Sequence, residues 1–327
     1  MATTYALGKT DLNVTPVGLG CWQFSRSRGL AGVYWDALPQ QTVEEIVRVS
    51  IQGGINWFDT AEVYGNGASE ESLAQALHGL GLERNRYVLA DKWFPVFRFA
   101  PSVEKTFPAR ERALGGLSID LHQIHQPFSF SSVEKQMEHM AALVRQDSIH
   151  AVGVSNFNAD RMRRAHTRLA AEGLPLASNQ MRFSLIDREI ERNGVLEAAA
   201  ELDVSIIAYS PLAQGVLTGK FHQGDDIRAR KGPRKWLKRF KPEGLEITRP
   251  LITELRSVAE VHESTPAQIA LAWTTQRHGR RVVAIPGASS VSQARSNAAA
   301  LSIKLSEDEL DRLGEAGREA ERKLKGK

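Results

Sequence analysis

The chain of 327 residues has little cysteine, no long apolar run and no large excess of charge of either sign. Its single cysteine, Cys21, excludes an intramolecular disulfide and a cysteine-rich zinc site. No apolar run approaches the roughly 20 residues of a membrane-spanning helix. The N-terminus has no basic segment followed by an apolar one, as a secretory leader would. We therefore predict a cytoplasmic protein with no membrane partner.

The chain also lacks the glycine fingerprint of a Rossmann dinucleotide fold. The nearest match, Gly79-Leu80-Gly81, has no third glycine and no preceding strand. A metal site is equally unsupported. His122 and His125 are three apart on a predicted strand, so their side chains point to opposite faces and cannot share one ion.

A repeating order of apolar strand, polar turn and amphipathic helix indicates an α/β protein. Hydrophobic residues make up 42% and charged residues 24%, which is ordinary for a globular protein. Eight strands are predicted at residues 16–20, 55–59, 87–92, 121–125, 151–155, 177–180, 205–209 and 282–286. Strands two to seven start about thirty residues apart, the length of a βαβ unit. We predict a single (β/α)₈ TIM-barrel domain over residues 1–327, with an N-terminal β-hairpin at residues 5–17 and a long loop between strands seven and eight.

Capping boxes mark the predicted helix starts. They pair Thr42 with Glu45, Ser131 with Glu134, Thr265 with Gln268, and Ser306 with Glu309. Two helices, at residues 250–263 and 266–276, are predicted before the last strand, each with a proline at its first position.

A basic segment precedes these two helices. Residues 228–242 hold eight basic residues and no acidic one, interleaved with Trp236 and Phe240. A solvated loop, a phosphate clamp for a small ligand and a nucleic-acid patch are the three interpretations. We favour the solvated loop, with the clamp second, and predict no nucleic-acid partner.

Ionisable residues follow three consecutive predicted strands, where a barrel gathers them at one mouth. Asp59, Lys92 and His125 leave these strands, and Tyr64 lies on the loop after the first. A lysine cation favours the phenolate and lowers the pKa of a tyrosine. Lys92 would therefore tune Tyr64, Asp59 would hold Lys92, and His125 would hydrogen-bond a substrate carbonyl.

Such a site can protonate an oxygen, but a carbonyl reduction would need a hydride from a nicotinamide cofactor. Each residue also has an ordinary structural interpretation. Asp59 could be a helix cap, His125 a structural hydrogen-bonding residue, and Lys92 a partner of Asp91.

The sequence resembles the aldo-keto reductase family over nearly its whole length, and the resemblance includes these four positions. The matching segments are residues 17–22 (VGLGCW), 58–65 (FDTAEVYG), 91–92 (DK), 123–125 (QIH), 152–157 (VGVSNF), 178–180 (SNQ), 209–220 (YSPLAQGVLTGK) and 285–289 (IPGAS). The resemblance implies that Asp59, Tyr64, Lys92 and His125 form a catalytic tetrad. It also implies NADP(H) as the preferred cofactor, with NAD(H) as the alternative.

The resemblance further implies a set of cofactor-binding residues along the barrel mouth. These are Gly20, Trp22, Ser155, Asn156, Gln180, Tyr209, Ser210, Leu212, Gln214, Lys220, Arg230, Gly287, Ser289, Gln293 and Asn297. Ser155, Asn156 and Gln180 would hold the nicotinamide carboxamide, and Tyr209 would stack on its ring. Where many members carry a cation near the last strand, this chain has Gly287, Ser289 and Gln293, a pattern closer to the bacterial and potassium-channel β-subunit branches.

An apolar substrate pocket is predicted from Trp22, Trp93, Phe94 and Phe128, which follow strand ends; Trp236 and Phe240 could cap it. Packing at the barrel rim is the competing interpretation. We predict an NADPH-dependent oxidoreductase that reduces an aldehyde or ketone reversibly, with the proton supplied by Tyr64. The alternative is a cofactor-binding regulatory or sensor subunit with incidental turnover. The natural substrate and the oligomeric state stay open.

Overall fold

The chain begins with a β-hairpin that closes one end of the molecule. The computed structural model describes residues 3–29, 34, 36–224 and 232–326. Strands β1 (Tyr5–Ala6) and β2 (Asn13–Val14) pair antiparallel, as the alternating pattern predicts. Leu7, Leu12 and Val14 are buried among side chains inside the barrel. The hairpin therefore seals the amino-terminal end of the barrel and leaves the opposite end to hold a site.

Eight parallel strands form the barrel, and each lies beside its neighbours in chain order. They are β3 (Leu19–Gly20), β4 (Trp57–Asp59), β5 (Val88–Trp93), β6 (Ile119–Ile124), β7 (Ile149–Ser155), β8 (Leu176–Arg182), β9 (Ser205–Tyr209) and β10 (Val282–Ile285). The first and last strands meet because Gly18 N donates to Ala284 O at 2.8 Å and Gly20 N donates to Pro286 O at 3.1 Å. The predicted (β/α)₈ barrel is thus confirmed.

Ten helices are present in the described part of the chain, and most of them cover the outside of the barrel. They are α1 (Gln40–Gln52), α2 (Ala68–Gly79), α3 (Ser102–Ala113), α4 (Val133–Arg145), α5 (Ala159–Ala170), α6 (Val195–Leu202), α7 (Pro242–Val261), α8 (Pro266–Gln276), α9 (Val291–Ala299) and α10 (Glu307–Leu324). None of these helices is both long enough and apolar enough to cross a membrane.

Two of the four predicted capping boxes are confirmed. Thr265 with Gln268 starts α8, and Ser306 with Glu309 starts α10. The other two were wrong. Helix α1 begins two residues before Thr42, after Pro39. Helix α4 is capped by Ser132 instead of Ser131, because the Ser132 side chain reaches the Lys135 amide. Two adjacent serines offer the same chemistry, so sequence cannot choose between them.

The predicted helix at residues 250–263 begins eight residues earlier than expected. Helix α7 starts at Pro242 and continues through Pro250. A proline inside a helix removes one backbone hydrogen bond. Burial of Thr248, Leu251 and Ile252 on one helix face offsets that loss. The described part of the connection between β9 and β10 is therefore largely helical, with short 3₁₀ turns at residues 213–222 and 233–240.

Candidate active site

A buried ion pair lies at the centre of the barrel mouth. Lys92 Nζ donates to Asp59 Oδ1 and, at 2.8 Å, to the carbonyl oxygen of Thr60. The other carboxylate oxygen of Asp59 accepts Gln123 Nε2 at 3.1 Å and Gln180 Nε2 at 2.9 Å. Burial disfavours the ammonium, but Asp59 and Tyr64 outweigh it and raise the pKa of Lys92. Lys92 is thus held as a cation, and both oxygens of Asp59 are engaged.

Tyr64 and His125 lie beside this pair and face the same cavity. Their ring centres are 5.5 Å apart and the rings are nearly perpendicular. Lys92 Nζ lies 5.1 Å from the centre of the Tyr64 ring. Burial raises the pKa of Tyr64, and Lys92 only opposes that rise. The prediction that Lys92 lowers the phenol's pKa is therefore right about the direction of the Lys92 effect but wrong about the net shift.

The His125 imidazole is neutral at physiological pH. Burial, and then the nearby Lys92 cation, hold its pKa well below the ordinary value. Its Nδ1 has no hydrogen-bond partner within the described part of the chain. A neutral imidazole at this place can donate one hydrogen bond to a bound oxygen.

A cavity of about 510 Å³ opens at the carboxyl ends of the barrel strands. Three members of the predicted tetrad line it, while Lys92 lies beneath them, fully buried. Fourteen of the fifteen predicted cofactor residues also line it: Gly20, Trp22, Ser155, Asn156, Gln180, Tyr209, Ser210, Leu212, Gln214, Lys220, Gly287, Ser289, Gln293 and Asn297. The fifteenth, Arg230, lies outside the described residues. Strand ends far apart in sequence thus meet in one cavity.

Polar groups near the tetrad are held by one another. Ser155 Oγ donates to the Gln180 carbonyl oxygen at 2.9 Å, and Asn156 Nδ2 donates to Ser155 Oγ at 3.1 Å. The Tyr209 hydroxyl donates to Asn156 Oδ1 at 3.0 Å. Asn156 has a φ of 59°, a left-handed backbone that asparagine tolerates better than most residues. These contacts fix an amide, a hydroxyl and an aromatic ring at one side of the cavity.

The other end of the cavity lies over the amino-terminal end of helix α9. The Ser289 amide and hydroxyl both donate to Gln293 Oε1, at 2.8 Å and 3.1 Å. Gly287 lies against the side chain of Gln23; a Cβ at this position would come within 2.3 Å of it. Any larger residue at 287 would displace Gln23 from the cavity wall.

The structure brings only one of the four predicted substrate-pocket residues to the cavity. Trp22 lines the cavity, 5.0 Å from the Tyr34 ring. Trp93 does not, because it lies one residue beyond Lys92, so its side chain points outward into the core beneath the helices. Phe94 lies edge-on to His125 at 5.7 Å but outside the cavity lining. Phe128 is 65% exposed on the surface and does not line the cavity.

The two aromatic residues proposed as a cap do not cover the cavity either. Trp236 is 69% exposed, with Lys235 over its ring. Phe240 is buried and packs perpendicular to Phe221 at 5.3 Å. Phe221 itself lines the cavity, so Phe240 supports the wall from behind.

Sequence reasoning missed several residues of the cavity wall. Gln23, Tyr34, Arg182 and Arg234 line it, and Gln123 holds Asp59 from below. The alternation of side chains between the two faces of a strand would have predicted two of them. Gln123 lies two residues before His125, and Arg182 lies two residues after Gln180, so each shares a strand face with a predicted site residue.

A buried acidic cluster lies behind the site, between the barrel and helix α3. Arg110 contacts Glu62 at 2.9 Å and Glu70 at 3.1 Å. Burial, together with Asp91, raises the pKa of Glu70 to about 10 against the opposing effect of Arg110. Burial also raises the pKa of Asp91 to about 7. Glu62 also pairs with Arg98 at 2.6 Å, whereas at Glu70 and Asp91 the cost of burying a charge outweighs the nearby cations.

His122 faces this cluster and not the cavity. Its ring packs on Phe107 of α3 at 5.5 Å, and its Nδ1 lies 3.7 Å from Asp91. His122 and His125 therefore point to opposite faces, as the strand spacing predicts. No group of three or more His, Cys, Asp or Glu residues in the described ranges is arranged to hold a metal ion.

Comparisons with known proteins agree with this geometry. The sequence model of the Aldo/keto reductase family matches residues 16–318. An uncharacterized oxidoreductase of Mycobacterium tuberculosis is 41% identical, over 93% of this chain and 90% of that protein. A probable aldo-keto reductase of Glycine max is 31% identical, over 95% of this chain and 87% of that protein.

Among solved structures, the glycerol dehydrogenase of Gluconobacter oxydans is similar with a TM-score of 0.80 at 26% identity. The match covers 96% of this chain and 94% of that one. Fold, sequence and the order of the site residues along the chain lead to the same conclusion. The chain belongs to the aldo/keto reductase family and is an NAD(P)-dependent oxidoreductase.

Proposed function

We propose that this protein reduces aldehydes or ketones to alcohols with NADPH, reversibly, and that Tyr64 supplies the proton. The observation that carries the proposal is the position of Tyr64. Its ring shares a cavity with the neutral imidazole of His125, 5.5 Å away, and the Lys92 cation lies 5.1 Å from its centre. A protonated phenol beside a buried cation is suited to give its proton to an oxygen on which negative charge develops.

The cavity wall fits a nicotinamide dinucleotide. Gln23 Oε1 and Gln214 Oε1 are buried side-chain oxygens of lining residues, and neither has a hydrogen-bond partner within the described ranges. Such acceptors call for a ligand with hydroxyl or amide donors, which a dinucleotide carries. Ser155 and Asn156 would hold the carboxamide, and the Tyr209 ring would lie against the nicotinamide. When bound, the nicotinamide supplies the hydride.

The residues of this chain would handle the proton and the charge. The carbonyl carbon gains a hydride, its oxygen takes the proton of the Tyr64 hydroxyl, and the C=O double bond becomes a C–O single bond. Lys92 would stabilise the phenolate left behind, and Asp59 would keep Lys92 in place. His125, neutral, would donate a hydrogen bond to the carbonyl oxygen and orient it.

A preference for NADPH over NADH rests on the cations of the cavity. Lys220 and Arg234 line it. Asp59 is the one acidic residue among the described lining residues, and its carboxylate already accepts hydrogen bonds from Gln123 and Gln180. An extra phosphate would gain from these cations, whereas an acidic residue would favour a free ribose hydroxyl. Titration of the protein with each nucleotide tests this, with tighter binding of NADPH expected.

Transfer of deuterium tests the proposed reaction directly. The protein is incubated with benzaldehyde and NADPH that carries deuterium at nicotinamide C4 on one face, in parallel with NADPH labelled on the other face. We expect one of the two preparations to place a single deuterium on the alcohol carbon. If neither does so across a panel of aldehydes and ketones, carbonyl reduction by this protein is disproved.

A further inference from the structure

Arg182 is a charged residue of the cavity wall that has no role in the proposed reaction. It ends strand β8, two residues after Gln180, and pairs in register with Tyr209 on strand β9. Its guanidinium carbon lies 5.7 Å from the centre of the Tyr209 ring. The side chain is exposed and lines the cavity. The guanidinium therefore lies at the mouth of the cavity, one side-chain position beyond Gln180 on the same face of the strand.

The surroundings of Arg182 leave its charge without an acidic partner in the described structure. Asp59 is the one carboxylate among the described lining residues, and its oxygens accept from Lys92, Gln123 and Gln180. By contrast, Arg188 and Arg239 pair with Glu191 and Asp187 through two hydrogen bonds each. A guanidinium that rests on a tyrosine ring keeps its N–H donors directed outward and available for a planar anion.

The position of Arg182 indicates which anion it meets. Residues Ser210 to Lys220, which follow β9, are those that would lie along the cofactor diphosphate. Arg182 lies on the other side of Tyr209, on strand β8, two residues beyond Gln180. Gln180 in turn adjoins Ser155, the last residue of β7, and Asn156, which follows it. Under the proposed function this is the nicotinamide end of the cavity, where the carbonyl substrate binds.

We propose that Arg182 selects carbonyl substrates that carry a carboxylate, by binding that group at the cavity mouth while the carbonyl reaches Tyr64. This inference rests on the proposed function and specifies its substrate class. A carboxylate accepts two parallel N–H donors from one guanidinium, whereas a neutral ester offers only a weaker acceptor. The preference should therefore depend on both the charge and the fork shape of Arg182.

A matched pair of substrates tests the proposal: 4-carboxybenzaldehyde and its neutral methyl ester, methyl 4-formylbenzoate. We expect wild-type kcat/KM to favour the acid by about tenfold or more, mainly through KM. Arg182→Gln should remove most of this preference, and Arg182→Lys should keep part of it because it retains the charge. The control is Arg86→Gln, which changes an exposed arginine before β5, at the opposite end of the barrel; it should leave the acid-to-ester ratio as in wild type.

Two results would overturn the proposal. In the first, wild type reduces acid and ester equally well, which contradicts substrate selection but leaves carbonyl reduction intact. In the second, Arg182→Gln slows both substrates equally and weakens NADPH binding in a fluorescence titration, which assigns the guanidinium to the cofactor diphosphate. If wild type reduces neither of these aldehydes nor any other carbonyl compound, the proposed function fails, and this inference fails with it.

Discussion

Lys92 Nζ lies 5.1 Å from the centre of the Tyr64 ring while its hydrogen bonds go to Asp59 and to the Thr60 carbonyl. Asp59 thus positions the Lys92 cation beside the ring of Tyr64. Because Lys92 is fully buried, its charge is screened little by solvent. The ion pair therefore contributes both to the stability of the barrel mouth and to proton transfer from Tyr64. Mutations can separate these two contributions.

Lys92→Met should lower both stability and turnover, since it leaves Asp59 buried without a cation. Breaking a buried ion pair in this way costs about 3–5 kcal/mol of unfolding free energy. The double variant Lys92→Met/Asp59→Asn should recover most of that loss but no turnover, because the cation beside Tyr64 is still missing. Urea unfolding and NADPH oxidation measure the two properties. A double variant with wild-type turnover would show that the cation is not needed.

The pH dependence of reduction follows from Tyr64 and His125. Burial raises the pKa of Tyr64 above its ordinary value near 10, with Lys92 opposing the shift, so the phenol keeps its proton at neutral pH. The imidazole of His125, whose pKa is well below its ordinary value, stays neutral. We expect kcat/KM for reduction to be level from about pH 6 to pH 9 and to fall at higher pH, as Tyr64 loses its proton. A loss of activity centred near pH 6.5 that disappears in His125→Gln would contradict this.

The acidic cluster behind the site should make the fold less stable as pH rises. In the folded state Glu70 keeps its proton up to a pKa of about 10, against an ordinary value of 4.5. Between these values the folded state binds more protons than the unfolded state, so the unfolding free energy decreases with increasing pH. Asp91, with a pKa of about 7, adds to the decrease below neutral pH.

Glu70→Gln removes the carboxyl group that loses its proton on unfolding. The unfolding free energy of this variant should therefore decrease less than that of wild type between pH 6 and pH 9. Urea unfolding at the two pH values measures it. Glu111→Gln, on the exposed side of helix α3, is the control and should behave like wild type. An equal decrease in wild type and Glu70→Gln would mean that Glu70 is already ionised in the folded protein.

The barrel and most of the cavity wall could be predicted from sequence because both depend on regular spacing. Strand ends of a parallel barrel meet at one mouth, so Asp59 and His125 could be brought together without coordinates. The family resemblance contributed the residues after Tyr209, whose irregular backbone has no periodic signal. Left-handed φ values of 53° at Ser210 and 60° at Gln214 illustrate this.

The directions of some side chains and the net pKa shift of Tyr64 were not predicted correctly from the sequence. Trp93 follows Lys92, yet the alternation of a strand turns it outward, a consequence that the pocket prediction did not apply. Phe128 lies on a loop, where no period indicates which way a side chain faces. The net pKa shift of Tyr64 depends on how deeply the ring is buried, which only the folded structure reveals.

Single-turnover reduction by Tyr64→Phe tests the central claim most directly. Protein with NADPH bound is mixed with an aldehyde that wild type reduces, and the loss of NADPH absorbance is followed. We predict that the rate falls by at least about 100-fold, because phenylalanine keeps the ring packing but has no proton to give, while NADPH binds as tightly as to wild type. A Tyr64→Phe protein that transfers hydride at the wild-type rate would contradict the assignment of Tyr64 as the proton donor.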